Sequence, residues 1–277
     1  MNTETTTMKP NEVRDYVRTR YGAIAAESDC GCAPSCCATK PAATELRGCS
    51  DDEPASYSEK LGYTAQEVAA AADADLGLGC GNPLAIAGIR AGETVLDLGS
   101  GAGFDCLLAA RQLGGTGRVI GVDMTAEMIT KARTNAAKAG LRNVEFRLGE
   151  IEALPVADRT VDLIISNCVI NLSPEKPRVF AEAFRVLQLG GRLAIADIVA
   201  TQPLPAALRT KLSAIGACIG GAALVTDLQA MLAAAGFGRI DITLRENSRR
   251  LIREWTDDST SGDFVVSALI TAYKPVA

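Results

Sequence analysis

The sequence predicts an α/β fold built on a doubly wound, mostly parallel sheet. Strand and helix patterns alternate five times between residues 94 and 199, a glycine-rich turn follows the first strand, and polar residues follow later strand ends. The chain has 277 residues, of which 48% are apolar, and this is enough for a sizeable core. In such a sheet, ligands bind beyond the carboxyl ends of the strands, near the switch in strand order.

Residues 1–60 form the first of three predicted regions, an N-terminal helix followed by a cysteine-rich segment. A rough apolar stripe predicts the helix from Asn11 to Ala26. Five cysteines follow in a stretch rich in Pro, Gly, Ser and Asp: Cys30, Cys32, Cys36, Cys37 and Cys49. They lack the repeated C-x-x-C pairs of a zinc ribbon, so the pattern only weakly supports structural zinc, and a flexible tail of reducible thiols is the simpler interpretation.

The second predicted region, residues 61–200, holds the alternating elements. Thr64 to Glu67 fits a capping box that opens a helix to about Asp73. The glycines around Cys80, within Leu76 to Pro83, indicate an unusual backbone path centred on that cysteine.

The stretch Val95 to Asp105 predicts a buried strand, a tight turn and the start of a helix. Gly99, Gly101 and Gly103 are spaced two and two, whereas dinucleotide-binding turns are spaced two and three. Glycine allows positive φ and a close approach of the backbone to a ligand, and the helix directs its free N–H groups at the turn. Asp97 places a charge inside the apolar run, so we expect its carboxylate to have partners.

Four further strands and three helices complete the alternation. We predict strands at Arg118–Val122, Val144–Leu148, Val161–Ser166 and Arg192–Val199. The helices run from the glycine turn to Leu113, from Asp123 to Ala139, and from Ser173–Pro174 to Gly190–Gly191. Asp123, Glu150 and Cys168 each follow a strand end, so we expect them to converge with the glycine turn on one rim of the sheet.

Asp123 has two candidate roles. An acid at the tip of the second strand of a βαβ unit can accept hydrogen bonds from both ribose hydroxyls of a nucleotide. Aspartate is also a favoured N-cap residue, so Asp123 can cap the helix that follows. The two roles are compatible.

The third predicted region, residues 201–277, is a C-terminal α+β cap. It begins with a helix near 205–217 that carries Cys218, followed by a capping box at Thr226 to Gln229 and a helix closed by Gly236. Strands at Ile240–Leu244 and Phe264–Tyr273 could extend the sheet as an antiparallel pair. The helices near 205–235 could form a lid over its rim.

Composition excludes several function classes. A net charge of −5 without a basic run argues against a nucleic-acid partner. No apolar run reaches the ~18–20 residues of a membrane helix, and the N-terminus lacks an apolar signal core, so we expect no membrane association and a cytoplasmic location. The chain has no histidine, which excludes Cys/His zinc sites and histidine catalysis. Its nine cysteines therefore indicate thiol chemistry, since an odd number cannot all pair.

Several short motifs resemble one enzyme family. The pattern from Asp97 through Gly103 resembles motif I of the class I S-adenosylmethionine-dependent methyltransferases. Segments around three cysteines resemble the arsenite methyltransferases, namely LGCGNP at Cys80, ISNCVINL at Cys168 and ACIGGA at Cys218, together with GVDMT at residues 121–125 and RLGEIE at residues 147–152. The resemblance covers about residues 60–275 and implies that fold, the methyl donor S-adenosylmethionine and As(III) as acceptor.

The resemblance also implies roles for individual cysteines. Cys168 and Cys218 would be the main arsenic ligands, and Cys80 a third or redox-active ligand. An N-terminal cysteine would form a disulfide relay with Cys80, a role we assign to Cys37. Cys36 lies at a similar distance, and the other three cysteines of that segment compete for the role.

The cofactor site is implied in the same way. The implied contacts are Asp97, Gly99, Ser100, Gly101, Gly103, Asp123, Met124, Glu150, Ile151 and Asn167. Some family members have aromatic residues just before the Cys80-type cysteine, whereas this chain has Leu78 and Gly79. An aromatic contact to the sulfonium must therefore come from elsewhere.

The residue types suit the chemistry. As(III) is thiophilic, so thiolates are suitable ligands, and its lone pair attacks the sulfonium methyl without a general base. Each transfer formally oxidises arsenic, which implies reducing equivalents and a disulfide intermediate. We expect arsenite or its thiol conjugates as substrate and thioredoxin or glutathione as reductant.

Two other functions remain open at this point. One is a methyltransferase for a small organic acceptor such as a quinone or sterol, which the triad Cys80, Cys168 and Cys218 disfavours. The other is a non-catalytic metalloid- or zinc-binding thiol protein, which the intact glycine turn with Asp123 disfavours.

Overall fold

The computed structural model describes residues 9–27, 56–255 and 261–276. Within them, seven strands form one sheet: β1 (Thr94–Leu98), β2 (Arg118–Asp123), β3 (Val144–Leu148), β4 (Val161–Asn167), β5 (Leu187–Ala200), β6 (Gly238–Arg245) and β7 (Val265–Tyr273). The strand order is β3-β2-β1-β4-β5-β7-β6. The first five strands pair in parallel, and β7 runs antiparallel to both β5 and β6. The predicted doubly wound sheet is confirmed, as is its antiparallel extension.

Helices cover both faces of the sheet. They are α1 (Pro10–Glu27), α2 (Tyr57–Leu61), α3 (Ala65–Ala70), α4 (Leu84–Ala87), α5 (Phe104–Gln112), α6 (Ala126–Lys138), α7 (Lys176–Val186), α8 (Ala206–Arg209), α9 (Leu212–Gly216), α10 (Val225–Ala234), α11 (Ser248–Ile252) and α12 (Ser261–Phe264), with single 3-10 turns at Ala72–Ala74 and Ile170–Leu172. Among the described residues, no helix is both long enough and apolar enough to cross a membrane.

Two of the three buried apolar clusters in the described residues lie on opposite faces of the sheet, and the third includes Cys80, Cys168 and Cys218. Along β1, Leu96 and Leu98 belong to one cluster and Val95 to the other, as the alternation of side chains along a strand requires. The first cluster includes Leu228 of α10, and the second includes Met128 of α6. Because both faces are covered, the central strands are apolar almost throughout, as is typical of parallel sheets. The strand order reverses between β1 and β4, so a crevice opens where these strands end.

The predicted start and end of α7 are both wrong. Ser173 is extended, at φ −76° and ψ 129°, because a residue before proline disfavours helical backbone. The helix therefore begins at Lys176, with Pro177 rather than Pro174 in its first turn, and it ends at Val186.

The predicted start of β5, the strand that follows α7, is also wrong. The strand begins at Leu187, before the two glycines rather than after them, because Leu187 pairs with Val161. An irregularity between this pair and the next then accommodates Gly190, whose φ is +79°.

Two predictions in the third region are also corrected. The capping box at Thr226 does not form, because α10 begins at Val225 and the preceding Leu224 forms a β-bridge to Ala200 instead. The helix expected near 205–217 is broken into α8 and α9. At the break the Thr210 hydroxyl donates to the Ala206 carbonyl, a contact that bends helices. The capping box of α3 is confirmed. The division at residues 60 and 200 stays a prediction.

Candidate active site

The glycine turn forms the first part of the site. Gly99, Gly101 and Gly103 have φ angles of +69°, +50° and +95°, which other residues rarely adopt. The Gly99 N–H donates to the Val122 carbonyl at the end of β2, with 2.8 Å between N and O. The Gly101 N–H donates to the Asp123 carboxylate at 2.9 Å. We call this turn, together with Asp123 and Met124, the cofactor rim.

The Asp123 carboxylate accepts hydrogen bonds from the glycine turn and from Thr125, but Asp123 is not the N-cap residue of α6. Its other carboxylate oxygen accepts the Thr125 N–H at 2.8 Å, and Thr125 is the residue that precedes α6. Burial raises the pKa of Asp123, although the N–H groups that it accepts oppose this shift. The carboxyl group lines a cleft, where a ribose could meet it.

A cleft of about 750 Å³, which we call the cofactor cleft, opens beside the rim. Seven of the predicted site residues line it: Gly99, Gly101, Asp123, Met124, Ile151, Asn167 and Cys168. Helix α1 closes another side with Arg14, Val17 and Tyr21. Four predicted cofactor residues do not line the cleft: Asp97, Ser100, Gly103 and Glu150. Their assigned roles, like those of the residues that line it, stay predictions.

Asp97 has the buried partner that its position required. The Cys106 thiol, on α5, donates to the Asp97 carboxylate at 3.2 Å. Burial and the nearby charge of Asp105 raise the pKa of Asp97 well above its usual range. Cys106 was overlooked at the sequence level, although it lies in the first turn of the helix after the glycine turn.

Glu150 lies beside the cleft and secures α1 across it. Its carboxylate is 3.6 Å from Arg14 Nε and 3.3 Å from Arg18 Nη2. Arg14 also reaches Glu152 at 3.3 Å and pairs with Glu175. Sequence reasoning gave α1 no role at the site. The spacing of four between Arg14 and Arg18, which places both on one helix face, was the available signal.

The three predicted arsenic ligands converge at the end of β4. Cys168 and Cys218 both have left-handed backbone, at φ +59° and +61°. This conformation is unfavourable for non-glycine residues and persists only where surrounding contacts hold it. The Cys168 N–H donates to the Ala196 carbonyl at 2.8 Å, and the Cys218 thiol donates to the Cys168 carbonyl at 2.9 Å. The Asn171 amide donates to the Cys218 carbonyl at 3.2 Å.

Asn167 holds the Cys80 loop against this strand end. Its side-chain oxygen accepts the Cys80 N–H at 3.0 Å, and its amide donates to the Gly81 carbonyl at 2.9 Å. A Cβ at Gly79 would lie 2.9 Å from the Asn167 amide, and one at Gly81 would lie 2.8 Å from the Ala196 Cβ. The glycines beside Cys80 are therefore needed for a close approach.

Cys80, Cys168 and Cys218, which we call the thiol cluster, have exposed fractions of only 2%, 6% and 3%. The Cys80 and Cys168 sulfurs and a carboxylate oxygen of Asp197 lie within 4.8 Å of one another. Asp197 went unnoticed at the sequence level. The signal was present, because Asp197 is a charge within the apolar run of β5, just as Asp97 is within β1.

The cluster favours neutral thiols. Burial raises the pKa of Cys80 to about 12 and raises that of Cys168 well above its usual range. For Cys218, the interaction with the Cys168 thiol is the main cause of a raised pKa, followed by burial. Burial also raises the pKa of Asp197 to about 6, against the opposing effect of the N–H groups that its carboxylate accepts.

Aromatic side chains surround a second cavity, of about 650 Å³, beside Cys168 and Cys218. They are Tyr21, Tyr57 and Trp255. The Tyr57 hydroxyl donates to the Gly79 carbonyl at 2.9 Å. Tyr21, Leu78 and Cys168 line both this aromatic cavity and the cofactor cleft, so the two spaces meet there.

The predicted N-terminal redox cysteine, Cys37, lies outside the described residues, as do Cys30, Cys32, Cys36 and Cys49. The choice among them stays a prediction. The four described cysteines, Cys80, Cys106, Cys168 and Cys218, are buried free thiols.

Comparisons with known proteins show what the chain as a whole is similar to. A family model described as a methyltransferase domain matches residues 89–236. An arsenite methyltransferase of Halobacterium salinarum is 52% identical over 269 residues, which cover 96% of this chain and 68% of that protein. The arsenite methyltransferase of Aquipseudomonas alcaligenes is 43% identical over 166 residues, which cover 57% of this chain and 47% of that protein. The chain thus spans about half to two thirds of the length of these relatives.

A crystal structure gives a further match. It is that of an arsenic(III) S-adenosylmethionine methyltransferase from Chlamydomonas reinhardtii, at 31% identity and a TM-score of 0.58, covering 80% of this chain and 74% of that chain.

Proposed function

The chain belongs to the arsenite methyltransferase family, and on that basis we propose that it methylates As(III) bound by the thiolates of Cys80, Cys168 and Cys218. It is a class I S-adenosylmethionine-dependent methyltransferase. One observation supports the assignment of ligands: the Cys80 and Cys168 sulfurs lie within 4.8 Å of each other, the Cys218 thiol donates to the Cys168 carbonyl, and Cys168 lies where the aromatic cavity joins the cofactor cleft.

The cleft has the features that S-adenosylmethionine requires. The glycine turn leaves the backbone bare, and a Cβ at Gly101 would meet nothing within 4 Å, so this part of the turn is open to a ligand. Asp123, Met124 and Ile151 line the cleft, where the Asp123 carboxyl would accept hydrogen bonds from ribose hydroxyls and the two apolar side chains would pack against adenine. When bound there, S-adenosylmethionine supplies an electrophilic methyl group on a sulfonium.

The thiol cluster would hold the acceptor. Arsenite exchanges each As–OH bond for an As–S bond, and the departing hydroxyl leaves as water with the thiol proton. Neutral thiols are therefore competent to begin binding, and the raised pKa values of the cluster are no obstacle. Three thiolates leave the arsenic lone pair free on the side opposite the ligands.

The remaining task of the protein is positioning. Cys168 lines both the aromatic cavity and the cofactor cleft, so arsenic bound to its sulfur would lie at the junction. Tyr21 lines the same junction and offers an aromatic ring to a cationic sulfonium. Aligning the lone pair with the breaking bond in a dry site is the principal source of rate enhancement in such a reaction.

We also propose a reducing compartment, the cytoplasm, with arsenite or its thiol conjugates as substrate and thioredoxin or glutathione as reductant. Two facts support this. The described cysteines are free thiols, and attack by the arsenic lone pair raises the formal oxidation state of arsenic by two.

The test is to incubate the protein with S-adenosylmethionine, arsenite and dithiothreitol and then to separate the arsenic species. We expect methylated arsenic, with one S-adenosylhomocysteine formed for each methyl group on arsenic. Cys168→Ser should abolish the product while the affinity for S-adenosylmethionine changes by less than about twofold. The matched control is Cys106→Ser, which keeps a donor to Asp97 and should stay active.

Absence of methylated arsenic from the wild type would contradict the proposed function. Product formation by Cys168→Ser at the wild-type rate would contradict the assignment of arsenic ligands.

A further inference from the structure

A groove of about 770 Å³ adjoins Cys80 and shares no lining residue with the cofactor cleft or the aromatic cavity. Its lining includes Lys60, Cys80, Arg245, Arg250, Glu254 and Ser267, and we call it the basic groove. The cysteines of the thiol cluster therefore line two different spaces. Cys168 and Cys218 line the aromatic cavity, whereas Cys80 lines the basic groove.

Within the described part of the chain, the cations of the basic groove, Lys60, Arg245 and Arg250, form no ion pair. The neighbouring Arg249 and Arg253 differ, since each pairs with a carboxylate, at 2.7 Å in both cases. Three unpaired cations around one groove, in a chain of net charge −5, favour an anionic ligand.

The charged groups that line the groove indicate which functional groups its ligand would carry. Three cations can bind two carboxylates, and Glu254 can bind an ammonium group. The floor beside Cys80 is firmly held, because the Ser267 hydroxyl donates to the Cys80 carbonyl at 2.7 Å and its N–H donates to the Ser248 hydroxyl at 2.9 Å. A ligand with two carboxylates, one ammonium and a thiol would match the charges and place a sulfur near Cys80.

We propose that the basic groove binds a small anionic thiol of the glutathione type and presents its sulfur to Cys80. The proposal rests on the proposed function, because methylation of As(III) consumes two electrons from thiols in each cycle. It assigns the entry of the reductant to a face separate from those that receive the cofactor and arsenic.

The reaction balances as follows. Cys80 and Cys168, whose sulfurs lie within 4.8 Å of each other, are two of the three ligands of the methylated As(V). Their two As–S bonds break, one electron pair forms the S–S bond, and the other stays on arsenic, which returns to As(III). Arsenic remains bound to Cys218 and takes up hydroxide from water, which releases a proton. The thiolate of the small thiol attacks the Cys80 sulfur, the S–S bond breaks, and Cys168 leaves as a thiolate that takes up a proton. A second small thiolate attacks the small-thiol sulfur of the mixed disulfide, and Cys80 leaves and takes up a proton. Two small thiols become one disulfide, and both cysteines are restored.

The test compares glutathione with dithiothreitol, an uncharged thiol, as the reductant in arsenite methylation. In the double variant Arg245→Gln/Arg250→Gln we expect the KM for glutathione to rise about tenfold, because two charged contacts are lost. The rate supported by dithiothreitol should change by less than about twofold. Arg142→Gln is the matched control. Arg142 is an exposed arginine just before β3, at the opposite edge of the sheet, and this variant should match the wild type with both thiols.

A binding measurement separates this proposal from the function on which it rests. S-methylglutathione has the charges of glutathione but no free thiol, so calorimetric titration with it needs no turnover. We expect binding to the wild type and about tenfold weaker binding to the double variant.

The outcomes are distinct. Two results would contradict binding of the reductant in the basic groove. One is an unchanged affinity for S-methylglutathione in the double variant, and the other is an equal loss of rate with glutathione and with dithiothreitol. Reduction of the wild-type protein by thioredoxin, together with no measurable binding of S-methylglutathione, would contradict it as well. Failure to methylate arsenic with either thiol contradicts the proposed function instead.

Discussion

The cofactor rim and the thiol cluster are assembled in different ways. The rim comes from one continuous stretch, residues 97–125, and its contacts are largely backbone N–H groups donating to Val122 and Asp123. The cluster brings together three distant cysteines, and amide side chains of Asn167 and Asn171 hold two of the segments. The rim therefore depends on local backbone conformation, whereas the cluster depends on long-range contacts.

Val169 links the two regions. A Cβ at Gly99 would lie 2.3 Å from Cγ2 of Val169, the residue after Cys168. A change on the rim can therefore reach the cluster through Val169, and the comparison between the two regions can be tested at this contact.

The largest effect is expected for Gly99→Ala. It combines a positive φ of +69° with this collision, so it should destabilise the fold by about 3 kcal/mol or more and weaken binding of both S-adenosylmethionine and arsenite. Gly101→Ala is the matched control, since its φ is also positive but its Cβ would meet nothing. It should cost about 1 kcal/mol and leave arsenite affinity unchanged. Denaturant unfolding and separate ligand titrations measure these effects. Normal arsenite affinity in a folded Gly99→Ala variant would show that the regions are not coupled here.

A smaller effect, confined to the cluster, is expected for Asn171→Asp. The substitution removes a donor to the carbonyls of Cys218 and Ile198, so arsenite affinity should fall about 30-fold while that for S-adenosylmethionine stays within about twofold. Asn143→Asp is the control, because its amide donates to the Ala110 carbonyl elsewhere in the fold. Both affinities can be measured by calorimetry. Equal loss of both affinities would mean that Asn171 supports the whole site rather than the cluster.

The pH dependence of stability should also reveal the cluster. Burial raises the pKa of Asp197 to about 6, above its unfolded value of 3.8. Its neutral form therefore stabilises the fold at pH 4, and this contribution, on the order of 2 kcal/mol, is lost as the pH rises through 6. In Asp197→Asn the free energy of unfolding should be lower overall but change less between pH 4 and 7, as denaturant titrations at each pH would show. An unchanged slope would mean that Asp197 does not titrate in this range.

The smallest effects are expected where α1 crosses the cleft. Arg14 is only 13% exposed at its side chain and meets three carboxylates, so Arg14→Gln should raise the KM for S-adenosylmethionine about fivefold. The Arg18 side chain is 44% exposed and pairs with Asp15 and Glu150. Arg18→Gln should therefore change the KM for S-adenosylmethionine by less than about twofold. Steady-state kinetics distinguish the two. Similar effects of both variants would contradict the idea that α1 is held mainly through Arg14.

The rim was more predictable from the sequence than the cluster. The strand, the turn and the helix start around Gly99 follow from local rules on glycine and apolar patterning, and the structure has them where expected. The same rules predicted that Asp123 lies at the tip of β2, and it does. Even so, the helix after Asp123 is not capped as predicted, because the Asp123 carboxylate binds the turn instead.

The cluster was predictable only in part. Cys168 follows a strand end, but the approach of Cys80 and Cys218 rested on resemblance, since no local rule links residues so far apart. Long-range packing also explains why the aromatic residue Tyr57 went unnoticed. Its side chain reaches the site from an element whose placement depends on the whole sheet.

The most direct test of the central claim is X-ray absorption spectroscopy of arsenic in the protein after addition of one equivalent of arsenite. We predict three As–S bonds in the wild type and in Cys106→Ser, and two As–S bonds with one As–O bond in Cys80→Ser and in Cys218→Ser. Oxygen coordination in the wild type, or three As–S bonds retained in both Cys80→Ser and Cys218→Ser, would contradict the claim that these cysteines form one arsenic site.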